Sequence, residues 1–155
     1  FAVELPMELT DVETVSQQEL PQMKENLHGI RVLLAEDNDL NAEIAEIQLE
    51  EFGMKVTRAI DGKQVVEFFA DSPAGTFDII LMDIMMPQMN GYEATKAIRN
   101  LGDRPDSRTI PIIAMTANAF AEDVQASLNA GMNGHIAKPI NIDEVIKAIA
   151  RNLNR

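Results

Sequence analysis

From Ile30 onward the chain alternates between short apolar runs and longer stretches with helical spacing. Ile30 to Ala35 is apolar over strand length, and Asp39 to Phe52 repeats its apolar residues with the helical period. Met54 to Ile60 reads as a strand, and Asp61-Gly62 is a turn into a helix running through Phe69. Phe77 to Met82 is a third strand, followed by a loop holding Pro87 and Gly91, and Tyr92 to Arg99 is helical. After a polar loop around Pro105, Ile110 to Met115 forms a fourth strand with Pro111 near its start. Ala119 to Asn129 is helical and ends at Gly131, His135-Ile136-Ala137 is a short fifth strand, and Asp143 to Leu153 is the last helix. Strands and helices that alternate five times predict an α/β fold, a parallel sheet covered on both faces.

Upstream of residue 29 the pattern is different. Residues 1–28 hold one Lys against six acidic residues, with Pro6 and Pro21 and no sustained apolar period. Phe1 to Leu5 alternates well enough for a strand end, stopped by Pro6, and residues 7–28 read as an acidic linker. The expected organisation is therefore a tail of a preceding domain over 1–6, a linker over 7–28 and one folded domain over 29–155. A chain that starts at Phe1 rather than Met is expected to be a fragment.

Charge narrows the range of partners. With 13 Lys and Arg against 25 Asp and Glu the net charge is −12, the wrong sign for nucleic acid or an anionic membrane surface. No apolar run approaches the roughly 20 residues that a membrane span requires. The absence of cysteine removes disulfides, thiolate metal sites and a cysteine nucleophile.

In a doubly wound sheet, ligands bind beyond the carboxyl ends of the strands. Strand one leads into Glu36-Asp37, strand three ends in Asp83, strand four in Thr116 and strand five in Lys138-Pro139. Three carboxylates crowded at one edge repel one another, which demands either a proton or a cation between them. Hard oxygen donors without His or Cys favour Mg²⁺, with Mn²⁺ an alternative ion of similar preference. Thr116 and Lys138 add a hydroxyl and an ammonium suited to an oxyanion. No Gly-rich phosphate loop follows strand one, and no GxSxG elbow is present. A carboxylate that accepts a phosphoryl group is the nucleophile these residues allow.

Four segments then carry a resemblance. Val32 to Asn38 (VLLAEDN), Ile80 to Gly91 (ILMDIMMPQMNG), Ile113 to Ala119 (IAMTANA) and Ala137-Lys138-Pro139 resemble the receiver, or response regulator, domain of two-component signalling over residues 30–154. The resemblance implies a flavodoxin-like sheet of order 2-1-3-4-5 with Asp83 as phosphoacceptor. It also implies Mg²⁺ held by Glu36, Asp37, Asp83 and the Met85 backbone carbonyl. Thr116 and Lys138 would bind the phosphoryl group, and His135 and Pro139 would lie in the switch region. His135 stands where many receivers carry an aromatic residue, so an aromatic rotamer switch is not expected; a partly exposed edge-strand histidine is. Asn38 to Asn41 and the TANA run are similar to receivers of hybrid histidine kinases, and Phe1 to Pro6 resembles the closing strand of a kinase ATP-binding domain. The partners implied are a histidine phosphotransfer domain or the kinase core, for a monomer or weak dimer. The location implied is cytoplasmic, in a parent kinase that can be anchored in the inner membrane.

Other readings compete residue by residue. Glu36 and Asp37 could simply favour the dipole of the following helix, and Thr116 could cap one. A haloacid-dehalogenase-like phosphatase also uses a strand-end Asp and Mg²⁺, but it needs a second Asp where Met85 stands. A pseudo-receiver serving only as an interaction module is the remaining alternative, and the domain is a phosphoacceptor rather than a stand-alone enzyme. Met85 offers no polar group to orient water on an acyl phosphate, so slow dephosphorylation is expected. In the first helix Ala45, Leu49 and Phe52 form one stripe and Leu40, Ile44 and Ile47 another, roughly 140–160° away. The first stripe is assigned to the core, leaving Leu40, Ile44 and Ile47 exposed as a docking surface.

Overall fold

The computed structural model describes residues 28–102, 105–116, 121–137 and 141–153. The strand end over 1–6, the linker to residue 27, Lys138 and Pro139 lie outside them. The elements are β1 (Arg31–Ala35), α1 (Asp39–Glu51), β2 (Lys55–Ala59), α2 (Gly62–Asp71), β3 (Ile79–Asp83), α3 (Gly91–Arg99), a 3₁₀ turn (Pro105–Ser107), β4 (Ile112–Thr116), α4 (Ala121–Ala130), β5 (Gly134–Ala137) and α5 (Ile142–Leu153). All neighbouring strands pair in parallel, in the order β2-β1-β3-β4-β5. This is the flavodoxin-like, doubly wound order expected from the motifs.

Strand parity separates two cores, because successive side chains point to opposite faces. Val32, Leu34, Ile79, Leu81, Ile113 and Met115 pack with α1 and α5 through Ala45, Leu49, Val145 and Ile149. Leu33, Ala35, Ile80, Met82, Ile112 and Ala114 face the other way, with Val65 and Phe69 of α2 and Ala94 and Ile98 of α3. β3 and β4 are buried along their whole length, whereas the edge strands β2 and β5 are exposed at alternate positions or nearly so. That is why the central strands read as continuous apolar runs.

Helix starts are set by side-chain caps. Asn38 Oδ1 accepts from the Asn41 amide at 2.9 Å, and Asp61 Oδ1 from the Gln64 amide at 2.8 Å. At α3, Asn90 and Glu93 cap each other's backbone amides reciprocally, at 2.9 and 3.1 Å.

The strands predicted from Ile30 and Met54 begin one residue too early, and two others begin two residues too early. Phe77 and Asp78 precede β3, because the Asp78 carboxylate instead accepts from the Arg31 amide at 2.9 Å and pairs with its side chain. Ile110 and Pro111 precede β4; the Ile110 amide bonds the Asp106 carbonyl at 2.9 Å, closing the 3₁₀ turn. At the amino-terminal end of the sheet, Arg99 joins three segments. Its guanidinium donates to the carbonyls of Gly131 and Ser107 and to Asn133 Oδ1, at 2.8–3.0 Å. Among the described residues, no helix is long and apolar enough to cross a membrane.

Candidate functional site

The sheet order reverses between β1 and β3, and a crevice opens at such a point beyond the strand ends. Ala35 of β1 is level with Met82 of β3. The next residues along are Glu36 and Asp83, and Asp37 follows Glu36. These three carboxylates each offer an oxygen, all within 4.8 Å of one another. Glu36 and Asp83 are buried and Asp37 is exposed. The cluster therefore has a walled side and an open side. Three hard oxygens so placed fit a small divalent cation that keeps part of its water shell.

Backbone bonds fix two of the carboxylates, Glu36 and Asp83, from different directions. Glu36 Oε2 accepts from the Asn38 amide at 3.2 Å, and the Glu36 amide donates to the Ala59 carbonyl at 3.1 Å. Asp83 Oδ1 accepts from the Met85 amide at 3.2 Å. The Ile84 amide donates to the Met115 carbonyl at 3.1 Å, so the end of β3 is tied to β4 next to Thr116. Thr116 is nearly buried, and its strand partner is Ala137, the residue before Lys138.

Two glycines let the loop after Asp83 sit this close. A Cβ on Gly91 would stand 2.5 Å from the Asp83 carbonyl and 2.9 Å from Ile84 Cα, and one on Gly62 would strike the Met89 carbonyl. Between them Gln88 takes a positive φ of 71°, and the Met89 amide bonds the Pro87 carbonyl at 2.8 Å. This is a tight three-residue turn. Gly91 was legible in the sequence only as a loop residue.

Arg58 was missed by sequence reasoning. Its guanidinium holds the Glu36 carbonyl at 2.9 and 3.1 Å and the Asp39 carboxylate at 2.9 Å, so one cation braces the strand end against the start of α1. An arginine on an edge strand reads from sequence as a solvated face; its place near the end of β2 was the only signal.

The remaining predicted residues fall as follows. Leu40, Ile44 and Ile47 are exposed by 64, 46 and 51%, while Ala45 and Leu49 are buried and Phe52 packs against the core, as the two stripes predicted. Ala42 is buried as well. His135 is exposed on edge strand β5, beside Glu144, Lys147 and Arg151 of α5.

The profile of the response regulator receiver domain matches residues 32–150. The chain belongs to the receiver domain family. It is 36% identical over 81% of its length to the peroxide stress-activated histidine kinase mak1 of Schizosaccharomyces pombe. It is 39% identical over 84% of its length to hybrid signal transduction histidine kinase I of Dictyostelium discoideum. The chain spans only 8% and 7% of the length of those two curated relatives. The receiver domain of the sensor histidine kinase PA1611 from Pseudomonas aeruginosa, crystallised with magnesium coordinated in its active-site cleft, is 38% identical; the match covers 82% of this chain and 99% of that one, with a TM-score of 0.72. Vibrio cholerae CheY4 aligns with a TM-score of 0.73 at 27% identity, over 81% of this chain and 99% of its own. The receiver belongs to two-component signalling, and the phosphatase alternative has no support.

Proposed function

We propose that this receiver takes a phosphoryl group from phosphohistidine onto Asp83 and passes it to a histidine phosphotransfer partner. The observation that carries the reading is the convergence of Glu36, Asp37 and Asp83 at the switch point of the sheet, with Thr116 on the neighbouring strand end. Glu36, Asp37, Asp83 and the Met85 carbonyl would hold Mg²⁺, as the cleft of the PA1611 receiver does, with Mn²⁺ a possible substitute. When bound, that ion neutralises charge on the transferring phosphoryl oxygens.

The chain's own residues do the rest. An Asp83 oxygen attacks phosphorus in line as the donor's N–P bond breaks, giving an acyl phosphate and a neutral imidazole once a proton returns. The Met85 amide orients the carboxylate, and the hydroxyl of Thr116, the residue after Asp83's strand partner Met115, would donate to a phosphoryl oxygen. Lys138 takes its role as ion-pair partner from its motif, as do His135 and Pro139 as switch-region residues. The exposed stripe of Leu40, Ile44 and Ile47 borders the acidic corner and suits the apolar face of a helical partner that delivers its histidine there. The same chemistry suits transfer from a kinase core. Charging of the donor from ATP would put the domain in the cytoplasm, and its net charge of −12 opposes direct binding to nucleic acid.

The test is intact mass after incubation with Mg²⁺ and a small acyl phosphate. One labile phosphoryl group is expected on the parent and none on Asp83→Asn. Absence of uptake from both the small donor and a phosphohistidine domain, with the fold intact, would leave a pseudo-receiver.

A further inference from the structure

We propose that Met85 is a site of oxidation by peroxide, and that its sulfoxide shortens the life of the phosphoryl group on Asp83. The inference rests on Asp83 being the phosphoacceptor. Met85 is 74% exposed, whereas Met54, Met82, Met115 and Met132 are buried and Met86 and Met89 pack against the core. Thioether oxidation follows access, so within the described residues Met85 reacts first.

The chemistry needs only a hydroperoxide. The Met85 sulfur attacks one peroxide oxygen and the O–O bond breaks. Sulfur loses two electrons and becomes the sulfoxide, while the departing hydroxide takes the remaining proton as water. The consequence lies in position. The Met85 amide donates to Asp83 Oδ1 at 3.2 Å, so the side chain is rooted two residues from the acceptor carboxylate and opens to solvent. A thioether accepts hydrogen bonds weakly and cannot hold a hydrolytic water. A sulfoxide oxygen is polar and accepts readily, so oxidation adds the acceptor that the reduced side chain lacks. One added hydrogen bond of ordinary strength to the attacking water corresponds to about a fivefold faster hydrolysis.

The experiment treats the folded chain with graded hydrogen peroxide, maps each methionine by peptide mass, and follows loss of phosphate after loading with a small acyl phosphate. Met85 is expected to gain oxygen at lower peroxide than Met86 or Met89, with about a fivefold shorter phosphoryl half-life. Methionine sulfoxide reductases should restore the original half-life, and Met85→Leu should show no peroxide response whatever its own starting rate. Met85→Leu keeps Met7 and Met23, so a response that persists in it would overturn the proposal. An unchanged half-life in chains oxidised at Met85 would overturn it too. If the reduced chain takes up no phosphoryl group, the phosphoacceptor reading fails and the proposal falls with it.

Discussion

At the carboxylate cluster, a single added methyl group would meet backbone atoms well inside van der Waals contact. Gly91 is the first residue of α3, and a methyl group there would press on the Asp83 carbonyl at 2.5 Å and on Ile84 Cα at 2.9 Å. Both atoms are backbone and belong to a loop end already bonded to Met115 and to Gly91 itself, so neither can yield alone. Gly91→Ala is therefore expected to cost about 1–3 kcal/mol, the usual range for overpacking, as a lower urea midpoint. Phosphoryl uptake should fall as well, because the strain is relieved by moving Asp83, the proposed nucleophile. Full uptake with a lowered midpoint would show that the loop adapts without disturbing Asp83. Gly62 meets the Met89 carbonyl from the other side, so the start of α2 and the start of α3 both bear on this loop.

Between elements, the decisive contacts come from side chains whose spacing looks ordinary. Arg99 ends α3 in what reads as a solvated last turn, yet its fork ties that helix to the 3₁₀ turn and to the turn before β5. Burial pushes the guanidinium below its ordinary pKa, and it remains a cation near neutrality. Asn133 Oδ1 also receives the Ile112 amide at 2.9 Å, so the start of β4 joins the same network. Arg99→Ala removes the guanidinium bonds to the Gly131 and Ser107 carbonyls and should cost about 2 kcal/mol in chemical denaturation. Arg99→Lys should recover only part of that, since one ammonium cannot match the planar fork. Helix α1 presents the opposite case, because its two apolar stripes were legible from spacing alone. Ile44→Glu should leave the unfolding midpoint and uptake from a small acyl phosphate unchanged while slowing transfer with a phosphotransfer domain by about tenfold or more. Equal loss with both donors would remove the docking role. The strand-end acids were readable because the doubly wound pattern and the motifs both point to them, and the sheet order was implied by the resemblance alone. Arg58, Arg99 and Asp78 were not, since each is bonded to a residue distant in sequence and leaves no periodic trace. Ala42 was passed over for a different reason: a small side chain contributes little to an apolar stripe.

For the whole molecule, the question is how a chain of net charge −12 tolerates three carboxylate oxygens within 4.8 Å. Repulsion spread over the surface is relieved by any salt, because exposed charges are screened over about 8–10 Å at physiological ionic strength. Repulsion inside the cluster is different, since Glu36 and Asp83 are buried and only Asp37 meets solvent. A divalent ion held there acts by mass action on the folded state alone, contributing about 2.7 kcal/mol at a hundredfold excess over Kd. For a chain of this size that is a rise of about 5–10 °C in Tm. Scanning calorimetry in MgCl₂ and in NaCl of matched ionic strength separates the two effects. The magnesium increment should saturate, should vanish with EDTA, and should exceed anything NaCl produces. Asp83→Asn should raise the metal-free midpoint by removing one of the crowded charges, and should flatten the magnesium response. Equal curves in the two salts would mean that the cluster is stabilised only by general screening, and the metal-binding role of Glu36, Asp37 and Asp83 would have to be given up.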